Sequence, residues 1–267
     1  TYLLTSIAGY WGIRKFRINS LLSFAGALLF SFLPYHHIRA VVGHVFLIQY
    51  FTVPITIYFA LKLTKKSFSL SKFLNWKNGL LLITMLALIA STGTAYYAFF
   101  SIGIWIISAM IGFIWNKNIQ SIMGAILFSA ITGLIVLFNI SPSLIYQYKN
   151  GKNLQIQREN LQIEEYGLRL NRVLAPLPQG KPEFIQKIIG PYYKNVTHEH
   201  YQFIGLVGVA GFILLITELV KKKAKNETRA ISLIVLGIII LASSGGLAFP
   251  LSFLISASIR SYGRISI

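Results

Sequence analysis

The chain has 267 residues, a mean hydropathy of +0.63, 55% hydrophobic residues and only 12% charged ones, about half the charged share of a soluble domain. It holds no cysteine, which excludes disulfides and thiolate metal sites. The net charge of +18 gathers where apolar runs end, which favours membrane loops over a nucleic-acid interface.

The charges are missing from stretches about 20 residues long, the length that crosses hydrocarbon. In chain order, spans are expected over residues 1–13, 19–34, 43–63, 79–93, 97–115, 120–140, 203–220 and 231–250, with another starting at Ile265. The apolar run from Gly79 to Trp115 is too long for one helix, and Ser91-Thr92-Gly93-Thr94 suits a tight hairpin. Residue 1 is Thr and the first run is short, so the natural protein is expected to extend beyond both ends. Three regions follow: N-terminal spans to residue 140, a polar segment over 141–202, and C-terminal spans from 203.

Short loops set the orientation. One alternate set carries Arg14, Lys15 and Arg17, then Lys62, Lys65, Lys66, Lys72 and Lys77, then Lys117, then Lys221, Lys222, Lys223, Lys225 and Arg229. The other short loops carry Arg39, and Arg260 with Arg264. The lysine-rich set reads as cytoplasmic. Segment 141–202 is then expected on the outer side of the membrane. Glu218 and Glu227 fall beside lysines, which suits solvated ion pairs.

Within the outer segment, Ile163, Tyr166, Leu170, Val173 and Leu174 recur at helical spacing. Gln162, Glu165, Arg169 and Arg172 fall between them, and Pro176 and Pro178 end the pattern, which predicts one amphipathic helix. A second short helix is expected from Glu183 to Ile189, before Gly190-Pro191. Such helices lie on the bilayer or wall a lipid chain. Tyr192, Tyr193 and Tyr201 suit an interfacial aromatic belt.

Three polar clusters share the outer side. Tyr35, His36, His37 and Arg39 follow Pro34, with His44 five residues on. They suit a headgroup-zone loop, a cationic patch for phosphate, or, with a further ligand from elsewhere, a metal site. His198-Glu199-His200 suits a solvated loop or an acid/base group. Arg260 and Arg264 are four apart, on one helical face, and suit headgroup snorkelling or recognition of a lipid phosphate. The span centres carry no Asp, Glu, Lys or Arg, unlike many ion-coupled transporters. There is no GxxxxGK[ST] loop, which argues against an ATPase.

The stretch Ala25–Pro34-Tyr-His-His-Ile-Arg39, running through Gly43-His44 to Tyr50-Phe-Thr-Val-Pro54, resembles bacterial polytopic membrane proteins of the YfhO type and GT-C-fold glycosyltransferases. Glu165-Tyr166-Gly167, Leu174-Ala-Pro-Leu-Pro178, Phe203–Gly208 and Ile259-Arg-Ser-Tyr-Gly-Arg264 follow in the same order. The resemblance implies an all-α bundle of about eight spans with a mostly helical outer loop. It implies transfer of a sugar from a polyprenyl-phosphate donor to a glycan or lipid acceptor, in cell-envelope synthesis. Such enzymes place an acidic base in the first outer loop. This sequence has no Asp, and its first complete outer loop has no acid, so the base is expected upstream of Thr1, with Glu199 as the local alternative. Tyr35, His36, His37, Arg39 and His44 are the substrate-facing set, with Arg260 and Arg264 for the phosphate. Membrane lipids are further partners; no cofactor, metal or nucleic acid is expected. A flippase of lipid-linked glycans and a non-catalytic assembly subunit are the alternatives.

Overall fold

The computed structural model describes residues 1–93, 95–151, 161–176, 178, 181–193, 202–221, 226–254 and 261–266. These residues are helical, with no strand among them and one isolated parallel bridge, Leu168 to Ser243. The α-helices are α1 (Tyr2–Arg14), α2 (Ser20–Ser31), α3 (Pro34–Val41), α4 (Val53–Leu63), α5 (Trp76–Ser91), α6 (Ala95–Asn116) and α7 (Ile119–Asn150). There follow α8 (Leu161–Glu165), α9 (Leu170–Leu174), α10 (Glu183–Ile189), α11 (Gly205–Val220), α12 (Asn226–Ala242) and α13 (Ala248–Leu254). Among the described residues, three stretches are long and apolar enough to cross a membrane: Ser20–Val41, Ala95–Asn116 and Ile119–Asn150. Tyr50–Leu63, Trp76–Ser91 and Gly205–Val220 are apolar but shorter.

The burial pattern is that of a protein dissolved in lipid. Leu21, Leu134, Phe138 and Leu206 are 76%, 67%, 78% and 77% exposed, while Thr5, Ser23, Ser108, Ser121, Thr132 and Ser232 are 0% exposed. In a bilayer, large apolar side chains face the tails and small residues let helices approach.

The chain divides into two compact units, Thr1–Phe32 with Val45–Gln157, and Leu33–His44 with Arg158–Ile267. In the first unit, glycines set the helix contacts. A Cβ on Gly12 of α1 would lie 2.7 Å from the Pro54 side chain of α4. One on Gly112 of α6 would lie 2.2 Å from the Leu63 carbonyl oxygen, and one on Gly124 of α7 would lie 2.6 Å from the Phe68 ring. Phe59, Phe73, Trp105 and Phe128 fill the space between α4, α6 and α7, with Phe59 and Phe128 centred 5.0 Å apart. Aromatic pairs at these separations add to their burial.

Several buried polar groups in this unit pair across helices, as a low-dielectric interior favours, while the Ser121, Ser129 and Thr132 hydroxyls have no hydrogen-bond partner among the described residues. Trp105 Nε1 donates to the Thr56 carbonyl at 3.1 Å, and the Thr56 and Ser101 hydroxyls lie 2.6 Å apart. The Tyr50 hydroxyl donates to the Phe30 and Ser31 carbonyls at 3.0 and 3.2 Å, capping the end of α2. Asn19, Asn75 and Asn118 cap α2, α5 and α7, each accepting a backbone N–H two or three residues on.

Several expected boundaries shift. The run expected over 43–63 becomes a helix only from Val53, after a turn that starts at Gly43 (φ +80°) and with proline in the first helical turn. The hairpin after Ser91 forms as expected, with Gly93 at φ +60°. Helix α7 continues to Asn150, ten residues past its expected end, and so takes up the start of the polar segment. Its 32 residues span about 48 Å. Pro142 lies inside it, and the Ser141 hydroxyl donates to the Phe138 carbonyl at 2.7 Å, the acceptor that Pro142 leaves without an N–H. The run expected over 231–250 is broken between Ala242 and Ala248 by a turn with Gly245 at φ +75°.

Candidate functional site

The expected substrate-facing residues all fall in the second unit. Proline at the first position of α3 fixes the helix start. Residues 35, 36 and 39 then share its inner face: Tyr35 is 6% exposed, His36 0% and Arg39 1%, while His37 is exposed. Adjacent histidines diverge around a helix, so His36 and His37 do not act together.

Arg39 is held from two directions. Its guanidinium carbon lies 5.0 Å from the centre of the Tyr35 ring, one helical turn back. Its Nη1 donates to His44 Nδ1 at 3.4 Å. His44 reaches it because the chain folds back at the end of α3. The His44 amide donates to the Arg39 carbonyl at 2.9 Å, with Gly43 at φ +80° providing the left-handed residue. Tyr35, Arg39 and His44 are therefore one constellation. The start of α3 also packs near the start of α11, where a Cβ on Gly205 would lie 3.8 Å from Pro34 Cδ.

Arg264 lies in a 3₁₀ turn, Tyr262–Ser266, that packs on α12. It is 7% exposed, and its neighbours Ser261 and Tyr262 are also buried. Arg260 and Glu199, with the rest of His198-Glu199-His200, lie outside the described residues.

The polar segment differs from the single amphipathic helix that its spacing predicts. Two short helices, α8 and α9, flank a break at Tyr166–Arg169. The break is an attachment point. The Leu168 amide donates to the Ala242 carbonyl at 2.8 Å, and the Leu168 carbonyl accepts from the Ser244 amide at 3.1 Å. Only glycine fits beside it, since a Cβ on Gly167 would lie 2.7 Å from Ser244 Oγ. Glu164 Oε2 accepts the Gly245 amide at 2.6 Å. Gln202, 2% exposed, accepts the Arg169 amide at 2.8 Å and donates to the Gly167 carbonyl at 2.9 Å. The second short helix, Glu183–Ile189, forms over the expected residues, and the Glu218–Lys221 ion pair forms.

Breaking the helix buries a cation that periodicity assigns to a solvent face. Arg172 is 6% exposed, and its Nε and Nη1 have no hydrogen-bond partner among the described residues. Burial lowers its pKa, the Arg169 charge lowers it further, and Tyr193 opposes the shift. Tyr193 itself is buried, its hydroxyl donating to the Ala175 carbonyl at 2.8 Å. The signal for Arg172 lay in Gly167, whose lack of a side chain marks the break.

Among the described residues, the second unit thus buries three guanidinium groups, on Arg39, Arg172 and Arg264. Buried arginine is costly unless an anion accompanies it, and its fork of donors matches phosphate oxygens. Among the described residues, no three His, Cys, Asp or Glu side chains gather as a metal site. No curated protein and no solved structure matches the chain. Residues 1–261 match the family described as Domain of unknown function (DUF6311), and the chain belongs to that family.

Proposed function

We propose that this chain is a glycosyltransferase-like membrane protein. It binds a polyprenyl-phosphate-linked sugar at the outer face of a bacterial inner membrane and passes the sugar to a glycan or lipid acceptor. About eight spans in a GT-C-like arrangement go with this reading, the shorter helices crossing together with their flanking turns. The observation that carries it is the burial of Arg39, Arg172 and Arg264 in the unit that also holds the polar segment from Arg158 on. Groups of this kind suit a diphosphate or phosphodiester at the membrane edge.

In this reading the Arg39 constellation and Arg264 hold the lipid phosphate. They stabilise the charge that develops on it as the sugar leaves. Arg172 adds a cation from the polar segment. Within this sequence, Glu199 is the candidate general base of the reading.

The test uses the natural full-length protein in nanodiscs, given a radiolabelled polyprenyl-phosphate sugar and a membrane extract as acceptor. The expected result is label transferred to a glycan or lipid, with transfer at least tenfold lower for Arg39→Gln and Arg264→Gln. Absence of transfer with retained donor binding would favour the second reading, a flippase or non-catalytic carrier. That reading is favoured by the commitment of Glu164 to the Gly245 amide, which removes one carboxylate of the polar segment from acid/base work.

A further inference from the structure

The first unit carries eleven Lys or Arg residues and no Asp or Glu, because the earliest acidic residue of the chain is Glu159. Its cations therefore have no carboxylate within the unit. Four of them, Lys15, Lys62, Lys65 and Lys72, line a single cavity of about 420 Å³, a size that suits a small ligand or a headgroup. The cavity is built from the end of α1, the end of α4, the turn that follows α4, and the first half of α5.

Two of the lysines are organised by aromatic faces. Trp11 and Tyr58 have ring centres 5.3 Å apart. Lys15 Nζ lies 5.3 Å from the Trp11 ring centre and 6.0 Å from that of Tyr58, and Lys62 Nζ lies 5.3 Å from that of Tyr58. Stacking on rings holds the ammonium groups without neutralising them. Ser67, Ser69 and Asn78 add polar groups to the lining. The lining also has apolar groups, Leu81, Leu82 and Met85 of α5 and the Phe73 ring. Basic and apolar groups in one cavity match an amphiphile with a phosphate head. Basic pockets between membrane helices commonly take anionic lipid headgroups.

We propose that this cavity is a binding site for a phosphate-bearing anion, with Lys15, Lys62, Lys65 and Lys72 around the phosphate and α5 along an apolar tail. It involves different residues from the arginine groups of the second unit, and it stands or falls independently of any sugar transfer.

The experiment is lysine acetylation footprinting of the full chain, read by peptide mass spectrometry. One arm uses nanodiscs of phosphatidylglycerol against nanodiscs of phosphatidylcholine. The other uses detergent-solubilised protein with and without millimolar inorganic pyrophosphate. The expected result is at least fivefold slower labelling of Lys62 and Lys72 with phosphatidylglycerol, while Lys77 and Lys117, outside the cavity, change by less than twofold. Protection by pyrophosphate alone supports the site with a soluble phosphate as its ligand. Protection of Lys77 and Lys117 equal to that of Lys62 and Lys72, or no protection in either arm, overturns it. Lys62→Gln/Lys72→Gln is expected to lower retained phosphatidylglycerol, counted by native mass spectrometry, and Lys62→Arg/Lys72→Arg to preserve it. If the glutamine variant fails to fold, the wild-type footprint decides alone.

Discussion

The Arg39 guanidinium lies over the ring of Tyr35, 5.0 Å from its centre, with both residues on the buried face of one short helix. The stacking holds a charge that is costly to bury, and Nη1 donates to His44. Replacing Arg39 with Lys keeps the charge but loses the planar fork. Affinity for a polyprenyl diphosphate is expected to fall about tenfold, or about 1.4 kcal/mol. Titration of nanodisc-embedded protein with labelled lipid checks this.

Arg172 separates binding from stability. Removing a buried cation with donors left unbonded is neutral or stabilising when an apolar residue of similar volume replaces it. Arg172→Met is therefore expected to leave the melting temperature in detergent unchanged or higher, while weakening lipid-phosphate binding. A clear drop in melting temperature would mean that Arg172 is paired structurally.

The glycine contacts of the first unit predict a different outcome. A methyl on Gly112 would press on the backbone oxygen of Leu63, an atom that cannot rotate away. Gly112→Ala is expected to cost about 1–3 kcal/mol or more, seen as early loss of the monodisperse peak on heating. Gly133→Ala, with nothing within 4 Å of the added carbon, is the matched control and should behave as the wild type.

Tyr50→Phe tests how α2 ends. It removes the hydroxyl that satisfies the Phe30 and Ser31 carbonyls. Leaving buried acceptors unmet costs about 1–3 kcal/mol, so a lower melting temperature is expected, with the helix content by circular dichroism unchanged at 20 °C or so.

Helix content, the hairpin at Gly93 and the short helix at Glu183–Ile189 were legible because they depend on local apolar runs and breakers. The end of α7 was not. Pro142 and Ser141 read as a stop, yet a proline whose freed carbonyl finds a neighbouring hydroxyl need not end a helix in a membrane. The break at Gly167 was hidden for a related reason. Its cause is a distant partner, Ser244, and apolar spacing carries no information about contacts between segments far apart in sequence. The same long-range contact turned Arg172 inward. Residues 35, 36 and 39 were legible as a polar cluster, but only the helix start at Pro34 shows which of them face inward.

The central claim is that the buried arginines of the second unit hold a lipid-linked phosphate. The most direct measurement is the affinity of the nanodisc-embedded chain for polyprenyl phosphate against the matching polyprenol, which lacks the phosphate. The account predicts at least tenfold tighter binding of the phosphate form, reduced to near parity by Arg39→Gln/Arg264→Gln. Equal affinity for the two lipids in the wild type, or a preference that survives the double replacement, would contradict it.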